Sequence, residues 1–243
     1  MTIEFGLLII GAYLLGAVPA AYLVAKWCRG IDIRQYGSGN VGASNILTVV
    51  SKRWAVPVIA FDLSKGIAFI YIAGLIGLEV YQQVIIGLAA IVGHNWPVFL
   101  RFVGGRGILT TLGVILILSP KLGLIVLVLA LFFVPFRQLA LGVFIALVSL
   151  PILSWSLSQP LSIDEQLPIT LGYLAMLFIA MLKRLAAPPT SVTASVSSGQ
   201  LLLNRLLFDR DIRDREAWIH RAPLQANSAE QLPKQQQKRG KVG

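Results

Sequence analysis

IEFGLLIIGAYLLGAVPAAYLVA, residues 3–25, carries one charged side chain, Glu4, and is long enough to cross the hydrocarbon of a bilayer, which takes about 20 apolar residues. Glu4 sits before the apolar run, and Lys26, Arg29 and Arg34 follow it. A cleaved signal peptide has the opposite polarity, with its basic residues first. The bias of Lys and Arg towards cytoplasmic loops then puts the N-terminus outside and the 26–53 loop inside.

Further candidate spans are 55–78, 83–100, 107–119, 121–135, 138–158 and 168–182. The stretches 107–119 and 121–135 are short, and form either a tight hairpin turned at Ser119–Pro120 or one bent span. The expected fold is an all-α, polytopic integral membrane helix bundle of about seven transmembrane helices. Its odd count places the C-terminus in the cytoplasm. Composition agrees: 56% of the 243 residues are hydrophobic and 13% charged. Soluble domains carry roughly 25% charged residues, so lipid must cover much of this surface. Loops with Arg101 and Arg106, with Arg137, and with Lys183 and Arg184 fall on the cytoplasmic side of the seven-span topology, whereas Glu79, Asp164 and Glu165 fall opposite; Lys121 is the exception.

The domain reading is a membrane domain over 1–185, a Pro/Ser/Thr linker over 186–200, an amphipathic charged helix over 201–221 and a disordered basic tail over 222–243. The formal charge of +10 is shared by the membrane domain and the remainder. It suits anionic lipid or anionic substrates, and no basic face with interleaved aromatics points to nucleic acid. Cys28 is alone and His94 and His220 are isolated, so neither a disulfide nor a metal cluster is expected.

Three polar stretches interrupt the apolar pattern. The first is Gly37-Ser38-Gly39-Asn40-Val41-Gly42-Ala43-Ser44-Asn45. Glycines let backbone N–H groups converge on an anion, and short Ser and Asn side chains add donors. GSGNVG also fits the dinucleotide pattern GxGxxG, with Asp62 further on, but that motif needs a preceding strand, and here it lies between two membrane spans. The second runs from Gly93-His94-Asn95-Trp96-Pro97 to Gly104-Gly105-Arg106-Gly107. Glycines on both sides leave the Arg106 guanidinium free to fork onto phosphate oxygens, a reading preferred to a plain cytoplasmic anchor. His94 is either a general base or a residue that holds its loop, with no carboxylate partner evident. The third is Asp62-Leu63-Ser64-Lys65-Gly66, inside a span. Asp62 and Lys65 share a helix face, as a structural pair or a substrate-facing one.

At GSGNVGASN, DLSKG and GHNWPVFLRFVGGRG the chain resembles the bacterial acyl-phosphate-dependent glycerol-3-phosphate acyltransferases, the PlsY family, over roughly residues 5–185. The resemblance implies transfer of a fatty acyl group from acyl phosphate to the 1-hydroxyl of glycerol 3-phosphate, giving lysophosphatidic acid for phospholipid synthesis. It also implies an active site at the cytoplasmic face of the bacterial plasma membrane. No metal or nucleotide cofactor is implied, and no protein base, because phosphate on the substrates takes the proton. Carried over by match, Ser38, His94 and Arg106 would be catalytic. Gly37, Gly39, Asn40, Gly42, Ser44, Asn45, Asp62, Lys65, Gly104, Gly105 and Gly107 would bind substrate. No oligomeric state follows.

The sequence departs from the family pattern at several points. Thr48 and Val103 stand where the family has Arg and Lys, Ala140 where a serine is expected, Phe178 and Met181 where His and Asn are expected, and Arg106 where the family has Lys. Acyl-phosphate binding is therefore expected to be better preserved than glycerol 3-phosphate binding. The alternatives are a different acceptor, or a transporter or scaffold that keeps only the fold.

Overall fold

The computed structural model describes residues 3–221, all of whose regular elements are helices. The basic tail expected over 222–243 lies outside the described residues. The first span is broken. Helix α1 (Ile3–Ala17) ends at Val18–Pro19 and α2 (Ala20–Arg29) resumes, because Pro19 has no N–H to give and disfavours helical geometry at the residue before it. The chain then makes the first glycine loop and a short helix, α3 (Ala43–Val49), before the long α4 (Lys52–Leu75). Helix α5 (Val80–Asn95) runs back and delivers the second loop.

Helices α6 (Ile108–Leu118) and α7 (Pro120–Leu131) form the tight hairpin, turned at Ser119–Pro120. A Cβ placed on Gly123 would lie 3.2 Å from the Leu116 Cα, a proximity that one straight helix could not give. Helix α8 (Leu139–Ser156), the single turn α9 (Ser158–Leu161) and α10 (Gln166–Leu185) complete the membrane domain. Five segments are long and apolar enough to cross a membrane, namely α1 with α2, α4, α5 with the turn after it, α8 and α10; α6 and α7 are shorter.

Lipid offers no hydrophobic drive for apolar helices to associate, so close backbone packing matters. Glycines at the helix crossings supply it. A Cβ on Gly16 would lie 2.2 Å from the Ala90 carbonyl oxygen, and one on Gly93 2.2 Å from that of Tyr13, so α1 and α5 meet backbone to backbone. Between α4 and α6 the corresponding distances are 2.0 Å from Gly66 to the Thr110 oxygen and 2.3 Å from Gly113 to that of Leu63. Tyr173 and Met176 of α10 are buried with Ile86, Ile91, Val114 and Leu150 in the central core. A second cluster, including Ala21, Ile33, Val41, Ile46, Val58 and Leu100, lies beneath the first glycine loop. Leu7, Leu124, Val128 and Phe178 are exposed, as lipid-facing positions are.

Over the stretch expected as one helix at 201–221 there are two, α11 (Ser198–Phe208) and α12 (Arg215–Ile219). They are separated at Asp209, a non-glycine residue at φ 55° that ends α11 in the left-handed conformation. The expected linker is tied down: Thr190 and Thr193 donate to Asp211 Oδ2 at 2.9 and 2.5 Å, and Arg205 reaches Asp211 Oδ1 at 2.7 Å. Burial alone would raise the Asp211 pKa, but the bonds from Arg205, Thr193 and Thr190 outweigh it and hold the carboxyl below its ordinary range.

Because the Gly66 crossing has no room for a methyl group, Gly66→Ala should cost about 1–3 kcal/mol by overpacking and lower the unfolding temperature in detergent. Gly6→Ala meets nothing within 4 Å and should be neutral. Equal melting of the two variants would contradict the glycine-mediated packing of α4 on α6.

Candidate active site

The first loop is shaped from within by one side chain. Asn45, at the start of α3, is buried; its Oδ1 accepts the Ser38 N–H at 3.0 Å, and its Nδ2 faces the carbonyl oxygens of Ile33, Tyr36 and Asn40 at 3.2, 3.0 and 3.1 Å. Gly37 and Gly39 both have positive φ, 57° and 74°, and a Cβ on Gly37 would lie 2.3 Å from Asn45 Oδ1, so this turn admits no side chain there. Ahead of the loop, Asp32 caps a single turn by accepting the Arg34 N–H, and the Arg34 guanidinium lies 2.6 Å from Asp32 Oδ2. That hydrogen bond holds the Asp32 carboxyl below its usual range.

The second loop packs on the first. The Gly105 N–H donates to the His94 carbonyl at 3.2 Å, and a Cβ on Gly105 would lie 2.4 Å from the Val41 carbonyl oxygen of the first loop and 2.2 Å from His94 Nε2. His94 is buried, with Nδ1 3.6 Å from Asp62 Oδ1, a charge contact too long for a hydrogen bond. Asp62 Oδ1 accepts from Lys65 Nζ at 2.8 Å, and the same ammonium donates to the Val18 carbonyl at 2.6 Å. A small cleft opens at this junction, lined by Ala17, Pro19, Val41, Asp62, His94 and Gly104. The carboxylate partner of His94 escapes a reading of the sequence because Asp62 and His94 lie on different helices. The only signal was a charged pair inside an apolar span.

Arg106 stands at the edge of the second loop. Its Nη1 donates to the Lys183 carbonyl at 2.7 Å, and its Nε lies 2.7 Å from Asp209 Oδ1, an ion pair without the angle of a hydrogen bond. Lys183 Nζ donates to the Asn95 carbonyl at 2.5 Å, while the Asn95 carboxamide is buried with no hydrogen-bond partner among the described residues. On the first loop, Arg221 donates to the carbonyls of Gly37 and Ser38 at 2.7 and 3.2 Å. Nothing in the sequence marks Asp209 or Arg221 as a site residue, because a mixed-charge run reads equally well as a solvated helix.

Of the other expected site residues, Ser38, expected as catalytic, and Asn40, expected to bind substrate, lie on the first loop, where the Asn40 N–H points to Ser38 Oγ at 3.4 Å. Gly42 is the residue before α3, and Ser44 is exposed. Gly104 packs under the carbonyls of His94 and Asn95, and Gly107, at φ 72°, leaves space for the Asn95 side chain. Among the departures, Thr48 is exposed and donates to the Ser44 carbonyl within its own helix. Val103 is exposed on the second loop, Phe178 faces outward from α10, and the Ala140 carbonyl accepts from Arg184 at 3.0 Å.

The glycerol-3-phosphate acyltransferase family model matches residues 6–187, a span that includes both loops and the buried Asp62–Lys65 pair. The chain belongs to this family. Among its relatives, glycerol-3-phosphate acyltransferase 4 of Dehalococcoides mccartyi (strain CBDB1) is 47% identical over 221 residues, covering 91% of this chain and 95% of that protein. The glycerol-3-phosphate acyltransferase of Thermoanaerobacter sp. (strain X514) is 50% identical over 119 residues, 48% of this chain and 58% of its own length. The crystal structure of PlsY (YgiH), an integral membrane glycerol 3-phosphate acyltransferase, in its glycerol 3-phosphate form superposes with a TM-score of 0.67 at 30% identity, covering 74% of this chain and 88% of that one. The lysophosphatidic acid form gives 0.65 at 29% identity, covering 74% and 87%. Asp209 and Arg221 lie beyond the part of this acyltransferase that the family model matches.

Asn45→Ala removes the acceptor and the donors that hold the glycine loop from within. Amide exchange over residues 36–42 should quicken by at least about tenfold, since each such bond contributes roughly 1 kcal/mol, while the transmembrane helices keep their protection. Unchanged exchange over 36–42 would rule out Asn45 as the organiser of the loop.

Proposed function

We propose that this chain transfers a fatty acyl group from acyl phosphate to the 1-hydroxyl of glycerol 3-phosphate at the cytoplasmic face of a bacterial plasma membrane, releasing lysophosphatidic acid and phosphate. The observation that carries this reading is the meeting of the two glycine loops, Val41 against Gly105, at one end of a bundle of the acyltransferase family. An acyl chain can stay in lipid there while its phosphate lies at the loops.

The hydroxyl oxygen of the acceptor forms the new ester bond to the acyl carbon. The bond between that carbon and the phosphate oxygen breaks, and the hydroxyl proton ends on phosphate. Arg106 and those loop N–H groups that are not bonded within the loops stabilise the charge that builds on the donor, an effect larger than one proton transfer contributes. We assign His94 to holding the second loop: its carbonyl takes the Gly105 N–H and its ring packs against the site a Gly105 Cβ would fill, over Asp62. Donor binding is better kept than acceptor binding, because the uncharged Thr48 and Val103 add no cation beside the loops. Ser38, Asn40 and Arg106 are the residues we place against phosphate.

In purified protein, phosphate release from acyl phosphate should depend on glycerol 3-phosphate and be matched by lysophosphatidic acid. Arg106→Ala should lower kcat/KM by about tenfold to a hundredfold, the range for a charge-assisted bond. Phosphate release that never yields lysophosphatidic acid would sink the acceptor assignment, and no acyl-phosphate turnover at all would sink the reaction.

The loops and the C-terminal segment share one end of the bundle, which we assign to the cytoplasm, with seven passes once α6 and α7 are counted as crossings. With Cys28 replaced by Ser, single cysteines at Tyr36 and Val103 should label from the cytoplasmic side of sealed vesicles, and one at Asp164 from the other; all three are exposed positions. Labelling of Tyr36→Cys and Val103→Cys from opposite sides would refute this topology.

A further inference from the structure

The stretch after the family-matched region does not trail away from the site. Arg205 donates to the Leu185 carbonyl at 2.8 Å and Arg184 donates to the carbonyl of Leu206, so α11 is tied to the end of α10, and Asn204 donates to the Asp211 carbonyl at 3.0 Å, tying the segment that follows back to α11. From there Asp209 reaches Arg106. Helix α12, capped by Asp214 through the N–H groups of Glu216 and Ala217, buries Trp218. The Arg221 guanidinium lies 3.6 Å from the centre of the Trp218 ring and donates to the Trp218 carbonyl at 2.5 Å, which fixes where its fork points.

That fork closes the first loop from outside. The peptide before Ser38 has its carbonyl, from Gly37, bound to Arg221 and its N–H bound to Asn45. The peptide after Ser38 has its carbonyl bound to Arg221 and its N–H, from Gly39, bound to the Tyr36 carbonyl at 2.9 Å. Both peptides flanking Ser38 are thus held at both ends, between two glycines whose positive φ would otherwise leave them loose. A guanidinium is suited to this because two of its planar nitrogens reach the two carbonyls in a fixed fork geometry, whereas an ammonium presents its donors from a single nitrogen on a flexible stem.

We propose that the C-terminal segment is part of the acyl-transfer site, with Arg221 a positioning residue for Ser38 and the first glycine loop, and Asp209 a positioning residue for Arg106. The inference rests on the acyl transfer proposed above. It makes the segment from 188 to 221 an extension that shapes phosphate recognition, and it supplies cationic fixation beside loops where Thr48 and Val103 are uncharged.

The test uses the full chain and the variants Arg221→Ala, Arg221→Lys and Asp209→Asn. Each is measured for KM and kcat with both substrates, for unfolding temperature in detergent, and for amide exchange over residues 37–40. Arg221→Ala should lower kcat/KM at least about tenfold and speed exchange at 37–40, with the bundle melting as in the parent. Arg221→Lys should recover part of the rate, because one ammonium replaces a two-carbonyl fork. Asp209→Asn should lower turnover through a misplaced Arg106. Parent-like kcat/KM in Arg221→Ala, or a loss matched by loss of bundle stability, overturns the positioning role of Arg221. Faster turnover in Asp209→Asn overturns that of Asp209, marking it as a block on Arg106. Should the parent chain make no lysophosphatidic acid, the acyl-transfer reading fails by itself, and exchange at 37–40 in Arg221→Ala decides whether the loop is held as described.

Discussion

A carbonyl freed inside a membrane must find a donor, because hydrocarbon supplies none. Pro19 breaks the helix at Val18, whose oxygen accepts from the Ala20 N–H at 3.1 Å and from the Lys65 ammonium at 2.6 Å. A buried ammonium needs a counter-charge, and Asp62 on the same face of α4 provides it at 2.8 Å. Asp62 then becomes the charge facing His94 of α5, while its backbone carbonyl accepts from Thr110 of α6 at 3.0 Å. One broken turn in the first span thereby ties four segments together directly beneath the cleft. Removing either member of the Asp62–Lys65 pair would strand the other, a larger penalty than the pair's own net contribution.

The spans were legible because membrane crossing demands length and apolarity, both visible in sequence. The hairpin at Ser119–Pro120 was one of two readings the sequence allowed, and a turn residue followed by proline gave it. The break at Val18–Pro19 was not read although Pro19 is in plain view, since the apolar run continues across it and the length rule does not register geometry. The glycine loops were found from composition, but their pairing partners were not. Asp62 with His94, Arg106 with Asp209 and Arg221 with Gly37 are all distant in sequence, and no local period brings them together. The charged run from Asp209 to Arg221 looked like one amphipathic helix. The positive φ at Asp209, which splits it and swings the carboxylate to Arg106, is a tertiary outcome that local propensity does not encode.

Glycine at Gly37 and Gly39 lets the backbone turn through conformations that other residues resist, and the same freedom makes such a loop costly to order. In the acyl transfer proposed above, a loop that is already ordered when the phosphate arrives binds it better, since ordering at that moment subtracts from affinity. Here the ordering is done in advance by two side chains of opposite chemistry. Asn45, neutral and buried, holds the inner face by matching donors and acceptors without bringing a charge into the apolar cluster of Ile33 and Ile46. Arg221, half-exposed at the outer face, brings a charge without having to bury it fully.

The guanidinium at position 106 is intelligible in the same terms. A lysine there would offer its three donors from a single nitrogen, which Asp209 at 2.7 Å would draw to itself. Arginine divides its donors: Nε faces Asp209 and Nη1 is bound to the Lys183 carbonyl, and in the acyl transfer proposed above the remaining nitrogen is the one left for a phosphate oxygen. The carboxylate lowers the net charge beside the loop, so the arginine is a weaker anion trap than an unpaired one would be. It is also a better-oriented one, because two fixed contacts restrict a side chain that otherwise loses roughly 2 kcal/mol of rotamer entropy when ordered. The arginine at 106 and the C-terminal carboxylate beside it thus form a single physical arrangement, in which each residue suits the other.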